Sequence, residues 1–205
     1  MKETKICLNC KQAERDFLAY LRDHEDFKSG FFEVISAMFS VRTSRSAEVV
    51  VNEGEVCNEA FWLQLGYARC YTVTTDHEGT QHEKTVDFCK AGEIQTIRKS
   101  FINGSPSEFG FQLAAGAVII PFTRRCFTHL QEKWPEAAVL ANKILAPDGI
   151  EKANMMRLKP RDRYREFLKL FGADIEQYFA VKHIASYLGM QPAYLSRLRG
   201  ESVKK

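Results

Sequence analysis

The residues with the clearest chemical potential lie near the end of the chain, in the run PAYLSRLR. If this run is helical, Leu195 and Leu198 share one face, which would be buried. The opposite face then carries four residues that can meet a partner: Pro192, Ala193, Ser196 and Arg197. Arginine is the side chain best suited to a guanine edge, because its guanidinium can donate two parallel hydrogen bonds. The run is therefore a candidate recognition helix for DNA, with these four residues as its base-reading set.

Two short helices and a turn are needed to position that face. The preceding run VKHIASYL has Ile184 and Leu188 at the spacing of one buried face, and Ala185 is small enough to let a second helix approach. Gly189 suits a left-handed helix terminus, and Pro192 suits the first turn of the next helix. The spacing predicts a helix-turn-helix. Two packed helices in an all-helical cap fit the spacing equally well.

The distribution of charge favours the DNA interpretation. From Arg157 onward there are eleven lysines and arginines against five acidic residues, a net charge of +6. The first 156 residues carry 18 basic and 21 acidic side chains, a net charge of −3. A basic end on a mildly acidic body is typical of a nucleic-acid-binding domain, although a solvated basic surface gives the same count.

Two other groups of residues could hold a metal ion. The first, His77, His82 and Glu83, has the side-chain types of a cupin-like metal enzyme. Its spacing is not the His-x-His that puts two ligands on one strand face, so we expect solvated turn residues. The second, Cys7 and Cys10, offers two of the four thiolates that an iron–sulfur cluster uses. No catalytic set stands out, so the sequence predicts neither an enzyme nor a bound metal.

The composition fits an ordinary globular chain. Of 205 residues, 45% are hydrophobic and 12% aromatic, which is enough apolar surface to exclude a mainly disordered protein. The longest apolar stretch, 111–122, is too short to span a membrane, and the N-terminus lacks the apolar run of a secretory signal. We expect a cytoplasmic protein with no membrane partner and with its six cysteines reduced.

Short β-rich runs separated by turn residues fill the middle of the chain. They are EVVV (48–51), FWLQL (61–65), ARCYTVTT (68–75), KTVDF (84–88), FGFQL (109–113) and AVIIPF (117–122). This spacing predicts an antiparallel barrel or jelly roll. Helical periodicity precedes it over 11–39 and returns after Phe122. The expected fold class is α+β, with a β-roll domain over 1–130, a linker helix over 131–156 and a helix-turn-helix domain over 157–205.

Four segments of the chain carry a resemblance to a known family. IASYLGMQPAYLSRLRG, preceded by RDRYREFLKLFG, resembles the C-terminus of Crp/Fnr-type transcription regulators, particularly the Bacteroidetes-type branch. VVVNEGEVCNEAFWLQLGYARCYTV and KAGEIQTIRKSFINGSPSEFGFQLA resemble the opening and the ligand cassette of that family's cyclic-nucleotide-binding roll. The resemblance implies a sensor roll, a long dimerisation helix and a winged helix-turn-helix. It also implies a homodimer on a palindromic double-stranded DNA operator, with RNA polymerase as a further candidate partner.

The resemblance also assigns roles to single residues. Arg197 matches the family's base-reading arginine, and four residues match phosphate contacts: Lys182, Gln191, Tyr194 and Arg199. The family's Arg-Glu pair at the start of the recognition helix is replaced by Pro192-Ala193, so a different operator sequence is expected. Because six residues follow Arg199, we expect a wing after this helix to be truncated or absent.

The same resemblance places the effector pocket at five residues: Thr96, Ile97, Arg98, Ser107 and Glu108. The family binds the ribose with a Gly-Glu pair and the phosphate with an Arg-Ser pair, which here become Thr96-Ile97 and Ser107-Glu108. A carboxylate at Glu108 opposes an anion, so no binding of cyclic AMP is expected. Arg98 or Lys99 could serve another anion, which leaves open a small-molecule effector that the sequence does not identify.

The expected dimer seam consists of four apolar residues: Val139, Leu140, Ile144 and Leu145. Pro147-Asp148-Gly149 should interrupt the continuous helix that the family uses. The alternative to a regulator is a ligand-binding roll whose DNA binding has degenerated. The Pro192-Ala193 replacement and the short C-terminus support that alternative.

Overall fold

The structure is a computed structural model that describes residues 2–144 and 150–202. Its elements in chain order are α1 (Lys2–His24), α2 (Phe31–Ala37), β1 (Arg42–Thr43), β2 (Glu48–Val51), β3 (Glu59–Leu65), β4 (Tyr67–Thr75), β5 (Gln81–Lys90), β6 (Glu93–Gln95), α3 (Arg98–Asn103), β7 (Gly110–Leu113), β8 (Val118–Thr123), α4 (Arg124–Lys133), α5 (Glu136–Ile144), α6 (Ile150–Met156), α7 (Pro160–Phe171), α8 (Ile175–Tyr178), α9 (Val181–Tyr187) and α10 (Pro192–Ser202).

The strands form two antiparallel sheets that pack face to face as a β-roll. The first sheet has the order β1-β8-β3-β6 and the second has the order β2-β7-β4-β5. Alternate residues of each strand point into the roll, as the pleat requires. In β3, for example, Phe61 and Leu63 are buried in the interior, and the Phe61 ring meets Phe111 of the second sheet at 5.1 Å. The roll interior is therefore an aromatic and aliphatic core.

Helices α1, α2, α4 and α5 cover the outer face of the first sheet. Trp62 of β3 and Ile120 of β8 point outward here and are buried. Phe17 of α1 stacks against Trp62 at 5.5 Å and against Phe122 at 6.1 Å. Leu130 and Leu140 extend this cluster onto α4 and α5. The helical period over 11–39 thus buries its apolar face against the roll, with a break between α1 and α2 that ends at Gly30 (φ 85°).

Helices α7, α8, α9 and α10 form a second unit over residues 157–202, which we call the reader domain. It packs against the outer face of the second sheet. Phe88 of β5 meets the rings of four reader residues at centroid distances of 5.0 to 6.0 Å: Phe167, Phe171, Phe179 and Tyr187. The reader's hydrophobic core therefore includes side chains of the roll, among them Tyr67, Phe88 and Ala114.

The expected α+β class, with an antiparallel roll followed by a helical domain, is confirmed. All six predicted runs overlap β2, β3, β4, β5, β7 and β8. Two short strands, β1 and β6, and the helix α3 were not predicted from the sequence. The two strands have two and three residues, which is too few to show alternation. Their pairing comes from the neighbouring strands β8 and β3.

The linker region 131–156 contains the end of α4, then α5 and α6, and not one continuous helix in its described part. Trp134 has an extended backbone (φ −131°, ψ 91°), as residues before proline prefer, and this separates α4 from α5. The expected break at 147–149, the seam residue Leu145 and the side chain of Ile144 lie outside the described residues. Leu140 is 5% exposed and packs within its own chain, whereas Val139 is 48% exposed. Leu140 is therefore not available to a dimer seam, and the expectation is wrong for this residue.

The described residues bear on two expectations, the absence of a membrane-spanning helix and of a wing after the recognition helix. No helix within 2–144 and 150–202 is long and apolar enough to cross a membrane. In the reader domain, residues 157–202 contain helices and no strand. A wing of the winged-helix type is thus not seen within these residues.

Candidate nucleic-acid interface

The turn between α9 and α10 has the hydrogen bonds of a Schellman motif. The Met190 N–H donates to the Ala185 carbonyl at 2.9 Å, and the Gly189 N–H donates to the Ser186 carbonyl at 3.3 Å. Gly189 has φ 62°, a left-handed conformation that glycine adopts without steric cost. Pro192 then begins α10, where its missing N–H costs no helical hydrogen bond. This local chemistry fixes the angle between the two helices of the predicted helix-turn-helix.

The inward face of this helix pair is fully packed. Its buried members are Ile184, Ala185, Leu188, Leu195 and Leu198. The outward face of α10 is exposed at all four predicted base-reading positions: Pro192, Ala193, Ser196 and Arg197. The Arg197 guanidinium lies 5.0 Å from the centre of the Tyr194 ring, a cation–π contact that orients the side chain. The structure thus places the four residues together on one solvent-facing surface.

The four predicted phosphate contacts do not share one environment. Lys182 and Gln191 are exposed at the starts of α9 and α10, and Tyr194 is half-buried. Arg199 instead pairs with Glu176 of α8, with its Nε 2.5 Å from the carboxylate. The Tyr164 hydroxyl donates to the same carboxylate at 2.8 Å, and burial together with this bond raises the pKa of Tyr164 to about 12. Arg199 therefore ties α10 to α8 and α7.

A second arginine that the sequence reasoning missed fixes the end of α9. The Arg163 guanidinium donates to the Leu188 carbonyl at 2.6 Å and to the Leu158 carbonyl at 3.0 Å. Carbonyl groups at a helix C-terminus lack helical partners, so a cation is well placed there. The sequence did not predict that Arg163 caps α9, because Arg163 lies in the amphipathic run RDRYREFLKLF and its partner Leu188 is 25 residues away.

The start of α9 is held against the roll by a buried arginine, Arg69 of β4, which is 2% exposed. Its Nη2 lies 2.5 Å from the Glu83 carboxylate, and its Nε donates to Gln112 at 2.7 Å. Its Nη1 donates to Nδ1 of His183 at 2.9 Å and to the Thr85 hydroxyl at 3.3 Å. We call these five residues the Arg69 cluster. It joins three strands of the second sheet to the first helix of the motif.

The protonation of His183 follows from this geometry. An arginine guanidinium has only donors, so Nδ1 of His183 must accept and the ring must be neutral. Burial, followed by the positive charge of Arg69, lowers the pKa of His183 to about 4. Burial also acts against the Glu83 carboxylate, but the hydrogen bond and charge of Arg69 lower the pKa of Glu83 overall. The cluster thus contains one cation, one anion and a neutral imidazole.

Further polar contacts join the roll to the reader domain, one of them from the Lys90 ammonium to the Leu170 carbonyl at 3.2 Å. The Thr85 N–H donates to the Ser186 hydroxyl at 3.0 Å, so α9 accepts from the backbone of β5. The Tyr67 hydroxyl lies 2.7 Å from the Phe171 carbonyl and 2.8 Å from the Asp174 carboxylate. Burial and the bond to Asp174 raise the pKa of Tyr67. No part of this junction was predicted, since its members come from distant parts of the sequence.

The predicted effector residues are placed around α3, and their polar groups have partners within the roll. The Thr96 hydroxyl donates to the Glu59 carbonyl at 2.9 Å, and the buried Ser107 hydroxyl donates to the Phe109 carbonyl at 2.5 Å. Ile97 is buried in the core and Arg98 is exposed. Lys99 forms an ion pair with Glu108, which brings these two segments together. That pair is on the surface, with the Lys99 and Glu108 side chains 66% and 58% exposed.

The candidate metal ligands do not converge. His82 pairs with Asp76 at 2.7 Å, whereas Glu83 belongs to the Arg69 cluster. Within residues 2–144 and 150–202, no group of three or more His, Cys, Asp or Glu could hold a metal ion. Cys10 is a free, half-buried thiol, and the side chain of Cys7 lies outside the described residues.

Comparison of sequences finds no match to a protein-family model or to a curated protein. Comparison of structures finds FixK2 of Bradyrhizobium japonicum, 15% identical, with a TM-score of 0.62 and coverage of 80% of this chain and 83% of the other. A protein of Eubacterium rectale described as a transcriptional regulator of the crp/fnr family is also 15% identical, with a TM-score of 0.62 and coverage of 86% and 84%. The c-di-GMP-responsive global regulator CLP of Xanthomonas campestris is 13% identical, with a TM-score of 0.57 and coverage of 86% and 92%. The chain therefore has the fold of Crp/Fnr regulators, a β-roll followed by a helix-turn-helix domain.

Proposed function

We propose that the chain is a DNA-binding transcription regulator of Crp/Fnr type that acts in the cytoplasm and has no enzymatic activity. The observation that carries this proposal is the surface of α10. Its inward leucines, Leu195 and Leu198, are buried, and the four outward residues are exposed. A helix fixed on one face and exposed on the other is what insertion into a major groove requires.

In this proposal the residues of the motif divide into base readers and backbone contacts. Arg197, held by Tyr194, reaches the base edges, where guanine offers two acceptors. Lys182 and Gln191, at the starts of the two helices, contact phosphates, which set the position of the protein but carry no sequence information. Arg199 has the Glu176 carboxylate as its partner, so we assign it to orienting α10.

We propose that the regulator binds a palindromic operator as a homodimer. A two-fold pair places two recognition helices about 34 Å apart, one helical turn of DNA. Val139 on α5 is an exposed apolar residue that a partner subunit could cover. RNA polymerase is a further candidate partner in this proposal.

We also propose that the roll does not bind cyclic AMP. The hydroxyl groups of Thr96 and Ser107 already donate hydrogen bonds to backbone carbonyls. Glu108 adds a carboxylate beside the place where the phosphate would lie. Isothermal calorimetry with cyclic AMP should give no heat of binding up to millimolar ligand. Micromolar affinity would show that Lys99 leaves Glu108 to bind the phosphate.

One observation supports the alternative, a ligand-binding module that has lost DNA binding. Pro192 and Ala193 open α10 without a hydrogen-bonding side chain, so half of the base-reading set can make only apolar contacts. Such contacts distinguish the thymine methyl group but no other base feature.

Selection from a random pool of DNA duplexes by the full chain tests the proposal. We expect enrichment of a two-fold symmetric sequence. Arg197→Ala should then cost about 1–3 kcal/mol per half-site and relax the preference at one base pair. Lys182→Ala should weaken selected and scrambled DNA alike, and reduce the salt slope by about one unit per site.

The matched control is Lys28→Ala, because Lys28 is an exposed base on the opposite side of the roll, beside Glu136 of α5. This variant should bind like the wild type. Failure of the wild type to enrich any duplex would support the degenerate module. Equal losses from Arg197→Ala on both kinds of DNA would make Arg197 a phosphate contact.

A further inference from the structure

An apolar cavity of about 70 Å³ lies between the first sheet of the roll and the helices that cover it. Its walls come from α1, α2, α3, α4, α5 and the strands β3, β6 and β8. All seventeen lining residues are hydrophobic, proline or cysteine, and six of them are phenylalanines: Phe17, Phe31, Phe39, Phe101, Phe122 and Phe127. The cavity is separate from the predicted effector residues 96–98 and 107–108.

A void of this size is unusual in a protein core. Interiors are close-packed, and one water needs only about 10–15 Å³ of such space. Water in this cavity would find almost no hydrogen-bond partner, because the walls are apolar side chains. A small apolar molecule would instead restore the dispersion contacts that the walls lack. The cavity therefore favours an uncharged organic ligand over water.

The chemistry of the walls narrows the class of ligand. No lysine, arginine, aspartate or glutamate lines the cavity, so a charged ligand would lose its hydration without gaining a partner. The six phenylalanines favour an aromatic ring, which can make edge-to-face contacts with several of them. A cavity of about 150 Å³ holds benzene, so this smaller one must widen by small side-chain shifts to admit a ring. Met38 is a flexible side chain on the lining and is 37% exposed, which offers such a shift and a path to solvent.

We infer that this cavity binds a small neutral arene, and that the arene is an effector of the regulator. The second part rests on the proposed function. Leu130 of α4 and Leu140 of α5 both line the cavity, and α5 begins the connection from the roll to the reader domain. A ligand that moves these two side chains apart would therefore shift α5, and through it the connection that leads to the reader domain.

Toluene is the probe for binding, with benzoate as a charged molecule of similar shape. Toluene should raise the thermal midpoint of the full chain in a saturable manner, and benzoate should leave it unchanged. Ala137→Leu adds a side chain to the lining of the cavity and should weaken toluene binding at least about tenfold by removing the space. Ala138→Leu, on the same helix but not on the lining, should bind toluene like the wild type.

Ala141→Leu is a second variant that fills the cavity, for use if Ala137→Leu does not fold. Ala141 lines the cavity and is only half-buried, so the larger side chain is easier to accommodate there. Absence of saturable toluene binding by the wild type would overturn the site. If Ala137→Leu and Ala141→Leu bind toluene as tightly as the wild type, toluene binds elsewhere, and the proposed site is equally overturned.

The effector role has a separate readout, the affinity for the selected DNA duplex with and without toluene. We expect a several-fold change in the wild type and in Ala138→Leu, and none in Ala137→Leu. Toluene binding with unchanged DNA affinity would overturn the effector role and leave the site intact. If the chain binds toluene but selects no DNA, the proposed function fails and the cavity assignment does not.

Discussion

The two outer faces of the roll are both covered by helices, but the two junctions differ in chemistry. Over the first sheet, Phe17, Trp62 and Ile120 make an apolar cluster, and one side-chain hydrogen bond crosses from the sheet to α1, from Gln64 to Asp16 at 2.7 Å. Over the second sheet, an aromatic cluster around Phe88 is joined by the buried Arg69 cluster and by Tyr67. One junction is mostly apolar, and the other combines apolar contact with a charge network.

The two junctions therefore differ in function: apolar contact holds two surfaces together, whereas a polar network also fixes their relative position. Apolar contact stabilises in proportion to the area removed from water and has little directional preference. Buried polar groups contribute only when every partner is in place, so they define one arrangement of the two surfaces. The first junction is therefore suited to a permanent contact. The second is suited to holding the reader domain in one position that a change at the cluster can release.

The largest effect is expected at the apolar junction. Trp62→Ala should lower the free energy of unfolding by about 3–5 kcal/mol, because it leaves a large void among Phe17, Tyr20 and Phe122. Urea unfolding followed by circular dichroism measures this loss. Leu65→Ala on the same strand, where the side chain is 48% exposed, should cost no more than about 0.5 kcal/mol. A loss below about 1 kcal/mol for Trp62→Ala would contradict the view that this junction is held by apolar contact.

The next effect is expected at the charge network. Arg69→Met should lower the free energy of unfolding by about 2–3 kcal/mol, because it removes four hydrogen bonds. The loss is limited because the Glu83 carboxylate remains partly solvated. Arg42→Met is the matched control, since the Arg42–Glu48 pair is on the surface and should contribute less than about 1 kcal/mol. Equal losses in the two variants would remove the distinction between a buried network and a surface pair.

Hydrogen exchange can show where the Arg69→Met loss occurs. The Thr85 N–H donates to Ser186 of α9, so its protection reports the docking of the reader domain. We expect faster exchange at Thr85 and unchanged exchange at Leu63 in the other sheet. Faster exchange at both would mean that the whole roll has been destabilised.

A smaller effect is expected for the tyrosine contact. Tyr67→Phe should cost about 1–2 kcal/mol, because the carbonyl of Phe171 and the carboxylate of Asp174 lose a buried partner. Tyr178→Phe, at a ring that packs on Tyr67 and is 40% exposed, should be close to neutral. Similar unfolding midpoints for Tyr67→Phe and the wild type would show that this bond adds nothing to docking.

The smallest effect concerns pH. Because burial lowers the pKa of His183 to about 4, against about 6.5 in an unfolded chain, the unfolded state takes up the proton first as pH falls. Stability should therefore be lost between about pH 6.5 and pH 4. The two pKa values set an upper bound of about 3 kcal/mol, and solvent screening of this half-buried imidazole should reduce the loss to about 1 kcal/mol. Arg69, Glu83 and Lys182 face this imidazole, and Glu83 titrates at lower pH because its own pKa is lowered.

His183→Gln isolates the contribution of the imidazole. The difference in unfolding free energy between pH 7 and pH 4.5 should be smaller in this variant than in the wild type. Parallel pH curves for the two proteins would show that His183 is not the titrating group.

Local patterns predicted the helix-turn-helix and the exposed face of α10. Gly189, Pro192 and the leucine spacing act within a few residues, so their consequences can be read from the sequence. Short β-rich runs between turn residues predicted six of the described strands for the same reason. The base-reading and effector roles still rest on the resemblance and remain predictions, as does the Bacteroidetes-type branch.

The Arg69 cluster could not be predicted because its partners are far apart in the chain. His183 lies 114 residues from Arg69, and Gln112 lies 43 residues away. An arginine in a strand pattern normally indicates a solvated position, whereas Arg69 is buried where β4 meets the reader domain. The seam prediction failed at Leu140 for a related reason. Apolar spacing shows that a residue will be covered, but not whether its own chain or a second copy covers it.

The core shared by the roll and the reader domain affects how the chain reaches its native state. The reader domain has fewer than fifty described residues, a size at which a single core is marginal, and part of its core consists of Tyr67, Phe88 and Ala114 of the roll. During synthesis the roll leaves the ribosome first. Once folded, the roll exposes an aromatic surface against which α7, α8 and α9 can pack as they form. The roll thus acts as a template for the maturation of the reader domain, and a mutation that slows folding of the second sheet should delay acquisition of DNA binding even when the final stability is unchanged.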